Sequence, residues 1–440
     1  MFEIVNIFFI FFTFVILFSF PFNKFTTNQI IKVKNLNFFD YQCLNLIFFC
    51  YVTLILSFLN LNLKLIYYIY LLLSLLFVLL QNLKNLNFTK INSKESYFFF
   101  FLITISIFFY IAHNIRLEWD GHHWLEKVIF FYNENKIENY FKLKGHPEYP
   151  HLGTYIWALF WKNSFVNYEY VGRLFVIYLF TVSVFSLVNN LNTKLENIKT
   201  LLILFIILIA FEPFLLGGYQ EYYLFSILVI SSRLIFLLDF KNLNHNLLIL
   251  IILSFGLLLW FKDEGIFYFL MFSILLILNI KTFIKIKFFY CILIFSILLS
   301  SVFAQKILMG NYELPSGASN ATFVEIRNLI QNPELIISKC LKIFEHLLIA
   351  FLKYLSWILI LFSSICILFT KKFNDQSKYL FHCLILNFLF LFCSFMTFSM
   401  VSIDFVLRNA LDRLLFQTSG LYIILFIYLL NNLRIFKNRI

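Results

Sequence analysis

Residues 97–136 read Y-F-F-F-F-L-I-T-I-S-I-F-F-Y-I-A-H-N-I-R-L-E-W-D-G-H-H-W-L-E-K-V-I-F-F-Y-N-E-N-K. A long uncharged run breaks abruptly into a polar island, which closes with G-H-P-E-Y-P-H at 145–151. Five of the eight histidines and six of the 23 acidic residues fall between His113 and His151. Beside lipid, such groups are costly unless they reach water, a ligand or one another. The island is the first place to look for chemistry.

The rest of the chain sets that island in a bilayer. Of its 440 residues 61% are hydrophobic and 13% are charged, against about 25% charged in soluble domains. Apolar runs recur at 3–20, 43–59, 65–80, 97–113, 169–188, 198–212, 221–238, 246–261, 265–280, 286–304, 346–369, 379–400 and 413–431. Each is near the ~20 residues that cross hydrocarbon as a helix, so the expected fold class is an all-α polytopic membrane protein of about thirteen spans. Residues 1–96 form N-terminal helices, 97–431 the main membrane domain and 432–440 a basic tail, with outer loops at 113–165 and 305–345. The first run ends in S-F-P-F with no small-residue cleavage site, which reads as a retained helix rather than a signal peptide. Seven cysteines without a C-x-x-C lie mostly in apolar runs and read as packing residues. A net charge of +12 would point to nucleic acid only in a soluble chain; here no nucleic-acid partner is expected, because the lysines gather in short loops.

Those loops give an orientation. Lys24/Lys32/Lys34, Lys84/Lys90/Lys94, Lys281/Lys285/Lys287, Lys371/Lys372 and Arg434/Lys437/Arg439 fall on one side if the N-terminus is outside and the C-terminus cytoplasmic. The alternation holds if His151–Trp161, eleven residues long, is a re-entrant or half-buried helix. The island, E-P-F-L-L-G-G-Y-Q-E (212–221), K-D-E-G (262–265), the loop Gln305–Glu345 and D-F-V-L-R-N-A-L-D-R (404–413) then share the outer face. Ionisable groups at the outer mouths of helices point to a chamber at the membrane surface. A carrier would place charges and broken helices near the midplane.

Within that face, Glu118 and Asp120 form an acidic pair at i and i+2, able to act as general base or to hold a divalent cation. The alternative is that Asp120 simply caps the helix His122–Asn133. That helix carries Leu125, Val128, Ile129 and Tyr132 as an apolar stripe and should lie flat on the interface. His122 and His123 diverge by ~100° on a helix and, with His146 and His151, match no zinc spacing. They read as hydrogen-bonding groups for a substrate or headgroup, with no metal. His146-Pro147-Glu148-Tyr149-Pro150-His151 is a stiff turn, with Glu148 either facing the cavity or solvated. Lys262, Asp263 and Glu264 put three consecutive charges into one short turn: a phosphate-binding lysine, or a solvated turn. Glu212 and Glu221 sit similarly. Arg408 and Arg413 run against the positive-inside bias, which asks for a phosphate partner or an ion pair with Asp404 or Asp412. Trp119, Trp124, Trp157 and Trp161 read as an interfacial belt, and Trp and Tyr also stack on sugars.

At these residues the chain resembles the GT-C superfamily of membrane glycosyltransferases, which use polyprenyl- or dolichyl-phosphate sugars. The family's acidic pair in the first large outer loop is matched by Glu118-Trp119-Asp120. Its W-D-x-x-x-x-W stretch is similar to Trp119-Asp120-Gly121-His122-His123-Trp124, one residue shorter, and its H-P-x-x-P turn to His146-Pro147-Glu148-Tyr149-Pro150. Lys262-Asp263-Glu264-Gly265 and Leu411-Asp412-Arg413-Leu414-Leu415-Phe416-Gln417 look like its K-N-E-G turn and its terminal L-D-R-L-L-x-Q segment. The resemblance covers roughly residues 97–431 and implies an inverting transfer from a polyprenyl-phosphate sugar to a lipid, glycan or protein acceptor. It implies Asp120 as general base, Glu118 as its partner, and Lys262, Arg413 and Arg408 on the leaving phosphate. His122, His123, Glu148, Glu221, Asp263 and Glu264 would line the substrate site. No cofactor is required beyond a divalent cation conceivable at Glu118 and Asp120, and the setting would be a bacterial inner membrane with the site facing the periplasm or exterior. Two rivals stand beside it: a polymerase or ligase of lipid-linked polysaccharide, resting on arginines and histidines, and a non-enzymatic flippase or carrier.

Overall fold

The computed structural model describes residues 2–33, 36–83, 94–138, 140, 143, 149–189, 196–309, 325–397 and 402–432, and every regular element among them is helical. The first half comprises α1 (Phe2–Leu17), α2 (Lys24–Ile30), α3 (Phe38–Phe58), α4 (Leu63–Leu83), α5 (Lys94–Asn114), α6 (Trp119–Glu134), α7 (Leu152–Lys162), α8 (Tyr170–Val188) and α9 (Glu196–Ile209). A short 3-10 turn at Pro213–Leu216 precedes α10 (Glu221–Leu237), α11 (His245–Gly256), α12 (Leu258–Phe261), α13 (Glu264–Asn279) and α14 (Ile284–Met309). Then follow α15 (Pro333–Lys353), α16 (Leu355–Thr370), α17 (Asp375–Met396), α18 (Ile403–Val406), a π-turn at Leu407–Leu411 and α19 (Asp412–Asn432). Among the described residues seven helices are long and apolar enough to cross a membrane, or eight if the bent pair α15 and α16 counts as one span. Four further apolar helices are shorter. An all-helical set of described residues with these long apolar helices fits an integral membrane protein.

Asparagines start several of these helices where the sequence turns apolar. Asn37 and Asn374 each complete a capping box, and Asn244 caps α11, satisfying amide donors that lipid cannot. Helix α8 is buried along its whole length, with α3, α5, α7 and α10 packed around it, and α19 packs on α10. Helix α14 is the reverse, with only 17% of its apolar window buried, a surface suited to lipid. All seven cysteines are free.

The segment 305–345, expected as an outer loop, carries helix at both of its ends. Helix α14 runs on to Met309, residues 310–324 lie outside the described set, and 325–331 and α15 are helical. Pro333 starts α15, whose Ile337, Leu341, Phe344, Leu348 and Leu352 form an exposed apolar stripe opposite its lysines. An amphipathic helix of this kind is too polar to register as an apolar run in its first half. The expected single run 346–369 is also broken, bending by 99° between α15 and α16.

The described parts of the loops at 24–33, 238–246, 280–283 and 371–376 meet at one end of the bundle. Asn244 and Asn246 bond the carbonyls of Ile31 and Ile30, Lys281 pairs with Asp375 at 3.1 Å, Gln376 bonds Leu238, and Lys372 bonds the carbonyl of Asn432. The polar turns around Asp120, Glu221, Lys262 and Arg413 meet at the opposite end.

Candidate active site

The acidic pair is placed by glycines. Glu118 is extended and its amide donates to the Gly217 carbonyl at 3.0 Å, laying residues 117–121 across the turn at 217–218. A Cβ on Gly121 would stand 2.0 Å from the Gly217 carbonyl oxygen, and Gly218 has a φ of +99°, so neither position accepts a side chain without displacement. Glu118 precedes α6 but its side chain makes no capping bond. Asp120 is already inside the first turn, so it is not the N-cap; it forms an ion pair with Arg413.

Arg413 holds two carboxylates. Its Nε donates to Glu221 Oε1 at 2.6 Å, and its guanidinium lies 4.7 Å from the ring centre of Tyr219. Lys262 donates to the same Glu221 oxygen at 2.8 Å and reaches Glu264 at 3.5 Å. The result is a chain of alternating charge: Asp120, Arg413, Glu221, Lys262, Glu264. Glu221 is fully buried, and a buried carboxylate of this kind is tolerable only beside cations. Burial works against the charge on Lys262, but Glu221 and then Glu264 outweigh it and hold its pKa above the ordinary lysine value.

Arg413 itself is aimed by its approach segment. The π-turn at Leu407–Leu411 inserts an extra residue just before Asp412 and Arg413, a distortion common at functional sites. Helix α15 straps that segment through Lys342 to Asp404 and Lys353 to Asp412, both at 2.6 Å.

These side chains open onto a cavity of about 380 Å³ lined by Asp120, His123, Trp124, Lys127, Tyr149, Lys262, Asp263, Glu264, Ala410, Arg413 and Leu414. That volume suits a small ligand. One wall is charged; the other is aromatic, with Trp124 and Tyr149 rings 5.9 Å apart. Lys127 lies between them, 5.2 Å from the Trp124 ring and 5.4 Å from that of Tyr149, and donates to the Tyr149 carbonyl at 3.1 Å. Behind this wall His151 is buried among Phe58, Phe131, Tyr140, Tyr155 and Trp260. Burial, then the charge of Lys127, pushes its pKa down to about 3. It is a neutral ring in an aromatic box, not a group presented to substrate or headgroup.

Of the residues singled out in the sequence, Asp120, His123, Lys262, Asp263, Glu264 and Arg413 share this cavity, and Glu221 ties Arg413 to Lys262 from below. Glu118 is not on its wall; its Cγ occupies the space a Gly217 side chain would need. His122 and Arg408 are exposed and off the cavity wall. Glu148 and His146 lie outside the described residues. No group of three His, Cys, Asp or Glu among the described residues could hold a metal ion.

Lys127 and Tyr149 escaped the sequence reading, and Trp124 was assigned only to the belt. The buried face of α6 is Trp124, Lys127, Val128 and Phe131, while Ile129 is 41% exposed. The stripe is therefore rotated by about one residue from the expected one, because α6 packs on α7 through its aromatic face. Trp124 and Lys127 at i and i+3 were the available signal.

No protein-family model, curated protein or solved structure matches this chain.

Proposed function

We propose that this chain is a membrane glycosyltransferase that moves a sugar from a polyprenyl-phosphate donor to a lipid, glycan or protein acceptor. The observation that supports this reading is the meeting of Asp120, Lys262 and Arg413 on one cavity, from segments far apart in sequence. Asp120 takes the proton of an acceptor hydroxyl, whose oxygen attacks the anomeric carbon from the face opposite the leaving phosphate. The carbon–oxygen bond to phosphate breaks with inversion, and the departing phosphate gains its charge beside Lys262 and Arg413. In the resting site Arg413 is occupied by Asp120 and Glu221. A donor phosphate competes for that guanidinium and leaves the Asp120 carboxylate for the acceptor. Trp124 and Tyr149 offer rings for the sugar, and Glu118 supports Asp120 through the backbone it anchors.

About thirteen crossings, α7 entering the outer leaflet only part way, and a site facing the periplasm or exterior of a bacterial inner membrane belong to the same proposal. The eleven residues of α7 rise only ~16 Å at 1.5 Å each. The test is sugar transfer in proteoliposomes from labelled polyprenyl-phosphate sugar. Label passing into a new glycosidic product is expected. Label that crosses the bilayer still attached to its lipid would make the protein a carrier instead, and label recovered only in longer glycan chains built from lipid-linked repeats would make it a polymerase.

A further inference from the structure

At the far end of the bundle from Asp120, an open hollow of about 570 Å³ lies between the end of α13 and the start of α14. Asn279, Lys281, Thr282 and Lys287 are in its lining. The Lys281 amide is fixed by the Phe240 carbonyl at 2.9 Å, and Lys287 donates to the Leu278 carbonyl at 3.2 Å. Helix α17 stands alongside: Asp375 takes Lys281 at 3.1 Å, and His382 Nδ1 meets the Asn279 amide oxygen at 3.1 Å. Lys378 lies between those two contacts on the same face of α17, and it is exposed, as is Lys285 in the first turn of α14. Four lysines thus stand against the single carboxylate of Asp375; Asp239 and Lys241, either side of Phe240, cancel. The Thr282 hydroxyl is buried and has no hydrogen-bond partner among the described residues. An apolar track leads away from the hollow along α14. Ile284, Phe288, Ile292, Phe295 and Leu299 are all exposed and fall within one ~80° arc of the helix.

We propose that this hollow binds an anionic phospholipid of the bilayer. Lys281 and Lys287 hold its headgroup phosphate, and its acyl chains lie along the Ile284–Leu299 face of α14. Ammonium groups beside an unpaired hydroxyl are donors in search of an acceptor, and a phosphate offers several oxygens at once. Lys281 is 55% exposed, and an ion pair that open is weak, so it can turn from Asp375 to the phosphate. A zwitterionic headgroup brings its own cation, which the four lysines repel; an anionic one is attracted outright. The apolar track selects a lipid over free phosphate, because an inorganic ion has no use for it. General attraction of basic loops to an anionic leaflet needs no particular geometry. Here two lysines and a hydroxyl share one hollow beside a surface fit for acyl chains, which makes a site. It lies at the opposite end from Arg413 and stands without the transferase reading.

Native mass spectrometry of the full-length protein in detergent, titrated with phosphatidylglycerol or phosphatidylcholine, tests it. Phosphatidylglycerol should bind in preference to phosphatidylcholine. Lys281→Gln with Lys287→Gln keeps an amide donor for Asp375 and for the Leu278 carbonyl, so the fold should hold. Phosphatidylglycerol binding should then weaken by roughly 25-fold, about fivefold for each lysine beside an anionic headgroup. If that double variant does not fold, Lys285→Gln with Lys378→Gln, both exposed, gives the same comparison. Lys371→Gln with Lys372→Gln removes as much charge from the same end of the bundle but not from the hollow, and should leave binding unchanged. Equal loss in this control would mean a diffuse attraction and overturn the site, as would equal binding of the two lipids. Displacement of the lipid by inorganic phosphate at equal concentration would overturn the lipid assignment in favour of the free ion.

Discussion

Helix α10 carries a buried ion pair at each end, and the two are built differently. At the end nearest the basic loops, Arg233 meets Asp40 through two bonds of 3.2 Å, while Ser186 and the Asn37 amide take up the rest of the carboxylate. Both Asp40 oxygens are engaged. At the other end Glu221 accepts Lys262 and Arg413 on one oxygen and, among the described residues, has no hydrogen-bond partner on the other. Arg413 is shared with Asp120 on a cavity wall. Equal burial, opposite closure: a satisfied pair fixes structure, whereas a divided one can exchange partners.

The largest expected effect breaks the closed pair. Arg233→Ala leaves Asp40 buried and uncompensated, so stability in detergent should fall by about 3–5 kcal/mol, with activity per folded molecule unchanged. A loss under ~1 kcal/mol would place the pair with weak surface bridges and dissolve the contrast. Lys262→Ala should do the opposite. Glu221 keeps Arg413, so folding survives, while KM for the donor rises by roughly 10- to 100-fold, the worth of a charged hydrogen bond of ~1.5–3 kcal/mol. If Lys262→Ala unfolds the protein and leaves KM alone, the open end is structural too.

The smallest effect near neutrality is at His151. Its folded pKa of about 3 lies below the ordinary 6.5, so the unfolded chain takes the proton first as pH falls. Stability is intact above pH 6.5 and declines between 6.5 and 3. Unfolding midpoints measured across that window should flatten in His151→Phe; an unchanged slope would place His151 in contact with water.

What the sequence revealed follows from where charge is affordable. Asp120, Lys262 and Arg413 stood in short polar turns between apolar runs, and orientation by basic loops put them at one end, where they meet. Asp40 and Arg233 hid because one precedes the apolar run beginning at 43 and the other lies inside the run 221–238; a partner 193 residues away leaves no local trace. Lys127 was missed because periodicity gives a helix a face without fixing its rotation to within one residue. The start of helix α15 at Pro333, inside the expected outer segment 305–345, left no hydropathy signal because hydropathy scores composition and is blind to the single apolar stripe of Pro333–Lys353.

The central claim is that Asp120 does chemistry rather than serving only as a counter-ion for Arg413. Asp120→Asn keeps the size of the side chain and retains an oxygen for Arg413. The variant should insert and unfold like the parent, while sugar transfer from labelled polyprenyl-phosphate sugar drops by roughly 10² to 10⁴, the usual contribution of a positioned base. Near-normal transfer by a well-folded Asp120→Asn protein would contradict the account and reduce Asp120 to a counter-ion for Arg413.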